Sequence, residues 1–398
     1  MTPTLSPRTV RLIMALFFLH PFALGGWFAQ IPLVQANLDL SNAQLALALL
    51  GMPVAFVTMS KLAAKVVGRW GAPFVFITVF PLQTATALFP LYAISQLTLF
   101  MALVIFGSAV AFLSVALNVY AGQYEQASGT SVMNRCHGFW ALGLMVGSLL
   151  AATFAQPLSP ELLILVLAAS SAALAMWSAR YLPNLKPQTS QDPQKSPRRK
   201  LRDYPTALFL IVLFVVSVTM AEGAMTNWVA VYMAERLPEG ATTAGLAITV
   251  YSGSLALGRF VGDFLKVRIG AANLARLTVG IAIAGILLLV APLPPFVAFA
   301  GFACVGLGVS VGFPLAVSAA AALEDAHDAD NIAFLSIIAV GSNVIAPPII
   351  GLLADSIGMT LALTALLPGL CLSLVMARHL SASALRQAPA QHNQVEAT

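Results

Sequence analysis

The strongest constraint on this chain is a series of twelve apolar runs, each close to the length that an α-helix needs to cross a bilayer. Hydrocarbon offers no water to backbone N–H and C=O groups, so these groups must pair within each run, as they do in a helix. Charged residues make up only 9% of the 398 residues, against about 25% in soluble domains. We therefore predict an all-α polytopic membrane protein with twelve transmembrane helices.

Six of these runs lie in each half of the chain. Their approximate limits are 11–34, 42–66, 73–95, 97–121, 134–156, 160–182, 206–233, 241–263, 271–292, 295–321, 331–353 and 357–378. A transmembrane β-barrel is excluded, because its strands alternate polar and apolar residues over about ten positions.

The longest connection, "NLKPQTSQDPQKSPRRKLRDYP", is rich in Pro, Gln and charge and is typical of a flexible linker. It predicts an N-terminal six-helix bundle (1–183), a linker (184–205), a C-terminal six-helix bundle (206–380) and a flexible tail (381–398). With the N-terminus in the cytoplasm, every Lys and Arg except Arg236 falls at a cytoplasmic end. This bias obeys the positive-inside rule and predicts that both termini are cytoplasmic.

A repeat relates the two halves. "GWFAQIP" (26–32) aligns with "NWVAVYM" (227–233), and about forty residues later "GRWGA" (68–72) aligns with "VRIGA" (267–271). Two repeats of six helices predict alternating access, in which the halves rock around a site at their interface.

The stretch "LALGRFVGDFLKVRIG" (255–270) carries a Gly and Asp core, basic residues and a closing Gly. It resembles the signature loop of the major facilitator superfamily, and the resemblance covers nearly the whole chain. "ALNVYAGQYEQASGTSVMNRCHGFWALG" (116–143) is similar to the fucose-permease-like branch and its bacterial inner-membrane relatives. The resemblance implies a multi-pass protein of the cell inner membrane that moves a small molecule.

Two positions depart from the family pattern. Ala64 stands opposite Asp263, so the first half lacks the expected acid. Ser114 stands where the fucose permeases have a carboxylate, if Asn118 is the matching Asn. This departure argues against proton-coupled sugar uptake through that position.

Glu222 is the one carboxylate deep in the seventh run, roughly 24 Å along the helix from its inner end at about 1.5 Å per residue. An ionised group at such depth costs about 2.5–3.5 kcal/mol. It must therefore be neutral, paired or in a wet cavity. We favour a cavity residue that binds substrate or carries a proton; the alternative is a protonated Glu that joins neighbouring helices.

Further residues at depth are candidates for substrate binding or proton coupling. His20 precedes Pro21, which predicts a kink in the first helix. The structural alternative for His20 is an imidazole bonded to a backbone carbonyl that the kink frees. For the amides the alternative is a joint between helices, and for the tryptophans it is a membrane-interface anchor. The complete set of candidates is Glu222, Asn227, Trp228, Trp27, Gln30, His20, Asn118 and Asn343.

Charges at the predicted cytoplasmic ends favour a gate that closes this side. Pseudo-symmetry pairs Asp263 with the start of the fifth helix near Arg135, where a helix dipole attracts an anion. Glu125 is expected to meet Arg259 or Arg268. The alternative is that these are solvated loop charges with little energetic effect.

Neither Lys nor Arg is expected at mid-depth of any helix, since Arg259 and Arg135 are placed at cytoplasmic ends. Carriers of anions usually need such a cation. A neutral or cationic solute is therefore expected, with a sugar or polyol slightly favoured. Efflux of a lipophilic or toxic compound is the alternative function, and a transporter-like membrane sensor is a third.

No nucleotide loop, metal spacing or nucleophile motif occurs, and three scattered cysteines form no pattern. The sequence predicts no enzyme, no cofactor, no metal and no nucleic-acid partner. Its net charge of +5 is assigned to topology and anionic lipid. Expected partners are the small-molecule substrate, protons and the lipid bilayer, with the chain acting as a monomer.

Overall fold

The computed structural model of the chain describes residues 7–130, 132–183, 185, 201–237, 240–323 and 327–381. Within these residues the secondary structure is helical, without a β-strand. Most of the predicted linker and nearly all of the predicted tail lie outside the described residues.

Twelve helices are long and apolar enough to cross a membrane, which confirms the predicted fold class. We number them in chain order. They are α1 (Pro7–Asn37), α2 (Asn42–Trp70), α3 (Ala72–Tyr92), α4 (Gln96–Ser128), α5 (Met133–Phe154), α6 (Pro160–Ala179), α7 (Thr206–Arg236), α8 (Thr242–Ile269), α9 (Ala271–Val290), α10 (Val297–Ala321), α11 (Asp330–Ile357) and α12 (Met359–Leu380).

Several of the twelve helices are interrupted. Helix α1 breaks into Pro7–Leu19 and Phe22–Asn37, at the kink predicted for His20–Pro21. Proline lacks the N–H that would continue the helical ladder, and its ring disturbs the preceding turn. Helix α2 breaks after Leu49, and α10 breaks after Val309.

The strongest contacts between the first six helices and the last six are the pairs α5–α8 and α2–α11, and α1 also packs against α8 and α7. Helices α5 and α8 run antiparallel over most of their length. The hydroxyl oxygens of Ser148 and Thr249 are 2.9 Å apart, and the rings of Phe139 and Phe260 meet edge to face at 5.5 Å. Gly245 permits this approach, because a Cβ there would lie 2.9 Å from the Cβ of Ala152.

Helices α2 and α11 form the second pair, at the end of the molecule opposite Arg69 and Arg268. We call the end with these arginines the basic end and the other the opposite end. Gly351 of α11 lies against Ala46 of α2.

Candidate functional site

An ion pair joins α7 to α8 in the interior of the helix bundle. The Nη2 atom of Arg259 donates to Oε1 of Glu222 at 2.9 Å. The two side chains are 14% and 20% exposed, respectively. Glu222 lies sixteen residues after the start of α7, and Arg259 lies ten residues before the end of α8. At about 1.5 Å per residue, their backbones are about 24 and 15 Å from the basic end.

The guanidinium of Arg259 also contacts the first half of the chain. Its Nη1 atom donates to the backbone oxygen of His137 in α5 at 3.2 Å. The backbone oxygen of Glu222 accepts from the hydroxyl groups of Tyr251, at 3.3 Å, and Thr226, at 2.8 Å. One arginine therefore links a deep carboxylate of α7 to the backbone of the other half.

This pair corrects the expectation that no cation lies at depth. Arg259 was placed at the basic end by counting along α8, but its long side chain carries the guanidinium to Glu222. Hydropathy locates the apolar run and does not show which way a side chain extends inside it. The substrate class can therefore not be argued from a missing cation.

Asn227 and Asn343 both contact the backbone of α7. Asn227 is half-buried, and its Nδ2 atom donates to the oxygen of Gly223 one turn earlier, at 2.9 Å. Nδ2 of Asn343 in α11 donates to the oxygen of Thr219 at 3.2 Å. A Cβ on Gly223 would lie 2.2 Å from the backbone oxygen of Asn343. Asn343 thus joins two closely packed helices.

The two aligned tryptophans are buried rather than placed at an interface. Trp228 donates from Nε1 to the oxygen of Pro347 in α11 at 3.0 Å. Trp27 and Gln30 are each 1% exposed, and Trp27 Nε1 and Gln30 Oε1 have no hydrogen-bond partner among the described residues. Their burial removes the membrane-interface alternative for both tryptophans.

His20 lies within the first half, between α1, α3 and α4. Its Nε2 atom is 3.0 Å from the hydroxyl oxygen of Ser114, and its backbone oxygen accepts from Nε2 of Gln83 at 3.2 Å. Asn118 follows on α4 and donates from Nδ2 to the oxygen of Ser114 at 2.8 Å, with an exposed side chain. Among the described residues no hydrogen bond connects this group to Glu222.

At the basic end, Asp263 of α8 meets the start of α5. Its Oδ1 atom accepts from Nδ2 of Asn134 at 2.8 Å, next to Arg135 in sequence. Glu125 accepts from the backbone N–H of Met133 at 2.8 Å and of Val132, so it caps the same helix start.

Glu125 was expected to meet Arg259 or Arg268, but among the described residues these two arginines contact other groups. Arg259 bonds to Glu222, and the guanidinium of Arg268 stacks on Phe264 at 4.2 Å. The physical reason is proximity. Arg259 reaches Glu222 on the neighbouring helix α7, and Arg268 reaches Phe264 one turn earlier on its own helix.

A contact that the sequence analysis missed fastens the opposite end. The carboxylate of Asp355 in α11 accepts from the hydroxyl of Ser41 at 2.6 Å, from the N–H of Asn42 at 2.8 Å and from the N–H of Ala43 at 3.1 Å. We call this group the Asp355 clasp. A capping Ser before an apolar run is a visible signal of a helix start. The sequence did not show that Asp355, 313 positions after Asn42, binds this helix start.

The site is therefore charge-balanced and polar inside an apolar bundle. It offers a carboxylate that accepts hydrogen bonds, a guanidinium that can bind hydroxyl or carbonyl oxygens, and the half-buried amide of Asn227. Among the described residues, no group of three or more His, Cys, Asp or Glu side chains could hold a metal ion.

Comparisons with known proteins agree with this architecture. A transporter of Sinorhizobium fredii designated y4wD is 28% identical over 361 residues, covering 88% of this chain and 92% of its own. A crystal structure of the nucleoside transporter NupG superimposes with a TM-score of 0.69 at 16% identity, covering 95% of this chain and 99% of that one. An alanine variant of the E. coli fucose:proton symporter FucP superimposes with a TM-score of 0.60 at 17% identity, covering 94% and 98%.

The two structural likenesses establish the fold alone, since their identities are low. The model of the Major Facilitator Superfamily matches residues 13–323, which is most of the chain. Both the family and the relatives are transporters, so the resemblance stated from the signature loop is confirmed. The protein is a multi-pass membrane protein, and the chain belongs to the Major Facilitator Superfamily.

Proposed function

We propose that this protein is a proton-coupled secondary active transporter that moves a small neutral polar solute across the inner membrane by alternating access. The observation that carries the proposal is the Glu222–Arg259 pair, which lies deep in the bundle and bonds to His137 of the other half. Sugars, polyols and nucleosides are the favoured solutes.

A charge pair at this depth is tolerated because each ion compensates the other, whereas a single ion there is costly. A proton on Glu222 removes its negative charge and leaves the guanidinium of Arg259 without its anion. The contact of Arg259 with His137 must also change when α5 and α8 separate. Proton binding and movement of the two halves therefore act on the same side chain, which is the requirement for coupling.

The formal charge of the pair is zero, which favours a neutral solute over an ion. A cationic solute would compete with Arg259 for Glu222, so it is disfavoured. Hydroxyl groups of a neutral solute suit both members, since a guanidinium donates hydrogen bonds and a carboxylate accepts them. The named substrates of NupG and FucP, nucleosides and fucose, belong to this neutral, hydroxylated class.

The rest of the proposal follows from topology. The basic end faces the cytoplasm, in agreement with the positive-inside rule. The bundles 1–183 and 206–380 rock about the pair as a monomer, joined by the linker 184–205. The Asp355 clasp holds the outer side closed, and the contact between Asp263 and Asn134 holds the cytoplasmic side closed.

The experiment is a ligand panel with purified protein, read as the shift in thermal unfolding temperature. The panel contains nucleosides, hexoses, polyols and lipophilic amines. The variant is Glu222→Gln, and the matched control is Glu161→Gln at the start of α6. A hydroxylated neutral ligand should stabilise the native protein and the control, and should stabilise Glu222→Gln less.

Uptake of the selected ligand into proteoliposomes then tests coupling. An imposed inward proton gradient should accelerate uptake by the native protein and leave Glu222→Gln unaffected. Stabilisation by lipophilic amines alone, or equal gradient dependence in both proteins, would contradict the proposal.

A further inference from the structure

A cavity of about 610 Å³ opens at the basic end of the second half, apart from the Glu222 site. It lies between the ends of α8, α9, α10 and α12. Its volume falls within the range of about 300–1,000 Å³ that is typical of small-molecule pockets. Three cationic residues, Lys266, Arg276 and Arg378, line it, and no Asp or Glu is among its lining residues in the described part of the chain.

Among the described residues, Arg276 and Arg378 have only neutral partners. Nη1 of Arg276 donates to Oδ1 of Asn273 at 3.3 Å, and Nε of Arg378 donates to Nε2 of His379 at 3.1 Å. Neither arginine forms an ion pair with a carboxylate within the described ranges. Their charges therefore remain available to an anion that enters the cavity.

The backbone adds to the positive potential. Helix α9 begins at Ala271 on the cavity wall, and its first turn contains no acidic residue. The preceding residue, Gly270, has no side chain that could cap the first N–H groups of the helix. The N-terminus of a helix of this length carries a partial positive charge and free N–H groups. The cavity thus combines cationic side chains with uncapped helix N–H groups.

The surroundings are those of a membrane interface. Leu315, Ala319 and Leu380 give the cavity an apolar wall. Leu277, next to Arg276, is 49% exposed, and Val375, one turn before Arg378, is 54% exposed. These side chains face hydrocarbon when α9 and α12 span a bilayer. An occupant with a charged head and an apolar tail can satisfy both surfaces.

We propose that this cavity binds the phosphate-bearing head group of an anionic glycerophospholipid, with its acyl chains along α9 and α12. Basic pockets between transmembrane helices bind such head groups through charge and hydrogen bonds. A soluble phosphate compound could bind the same cationic groups. The exposed apolar side chains beside the cavity favour a lipid as the occupant. The site is independent of the transported substrate.

The test measures binding of dioleoylphosphatidylglycerol to the purified full-length protein by native mass spectrometry, with dioleoylphosphatidylcholine as the comparison lipid. The variant is Arg276→Gln with Arg378→Gln. The matched control removes two exposed arginines of the same end in the first half, Arg69→Gln with Arg180→Gln. Each basic residue that contacts the bound head group is expected to contribute about fivefold to affinity, whereas Arg69 and Arg180 do not line the cavity.

We expect the native protein and the control to prefer phosphatidylglycerol, and the cavity variant to bind it about 30-fold more weakly. Unchanged thermal unfolding in phosphatidylcholine shows that the variant is folded. If it does not fold, salt titration of the native protein decides, because the affinity for phosphatidylglycerol must fall as ionic strength rises. The assignment is overturned if the control loses affinity equally, or if the native protein shows no preference over phosphatidylcholine. It is also overturned if binding is independent of salt, or if an equal concentration of glycerol phosphate displaces the lipid.

Discussion

Glu222 and Arg259 are 37 positions apart in the chain, and their side chains form a hydrogen-bonded ion pair of 2.9 Å in the interior of the bundle. Arg259 extends this pair to the backbone oxygen of His137 at 3.2 Å, so the contact involves both halves. The contact between Glu222 and Arg259 therefore joins α7 to α8. The contact between Arg259 and His137 depends on how far α5 and α8 separate.

Replacing one member of the pair is expected to destabilise the protein more than replacing both. Arg259→Gln leaves the partly buried carboxylate of Glu222 uncompensated, at a cost of up to about 3–5 kcal/mol, the value typical of a fully buried pair. Glu222→Gln leaves the corresponding cation. The double variant contains two neutral polar groups, so its thermal unfolding temperature should exceed that of Arg259→Gln. Independent, additive losses in this cycle would show that the two side chains do not interact.

Asp355→Ala is expected to open the opposite end, because it removes three hydrogen bonds to the start of α2. Loss of a helix cap costs about 0.5–2 kcal/mol, so the population open at that end should rise about 2- to 30-fold. Asp355→Asn should fall between native and Ala, since an amide still accepts hydrogen bonds but lacks the charge. Distances between spin labels on α1 and α11 at the opposite end measure the populations, and an unchanged distribution in Asp355→Ala would refute the clasp.

Asp263→Ala is expected to act in the opposite direction, by weakening closure at the basic end. Its hydrogen bond with Asn134 is worth about 0.5–1.5 kcal/mol, which corresponds to a shift of about 2- to 10-fold. Asn134→Ala should have the same effect, and the double variant should add little to either. Spin labels at the basic ends of α5 and α8 report the change. A gate at this contact is ruled out if neither variant alters transport rate or label distances.

Gly223→Ala is expected to destabilise the junction of α7 and α11, because the new Cβ would lie 2.2 Å from the backbone oxygen of Asn343. Overpacking of this kind typically costs about 1–3 kcal/mol. Gly341→Ala is the matched control on α11, since a Cβ there meets no atom within 4 Å. The control should leave the thermal unfolding temperature unchanged or raise it slightly, because Ala favours a helix more than Gly does. Equal behaviour of the two variants would contradict the close packing.

Most of the fold could be predicted from the sequence, because its causes are local. Apolar length specifies the twelve helices, and Pro21 specifies the break in α1, since a missing N–H acts on its own turn. Glu222 could be singled out because a carboxylate within an apolar run needs compensation wherever the run folds.

The partners of these residues were decided by the tertiary structure. The pairing of Glu222 with Arg259 depends on the register of α7 against α8, and that of Asp355 with Asn42 depends on the crossing of α2 and α11. The repeat aligns Trp27 with Trp228, but it could not tell a cavity wall from a buried joint such as the bond of Trp228 to Pro347. Hydropathy acts through single segments, whereas an ion pair or a cap depends on the relative rotation and height of two helices, which only their packing defines.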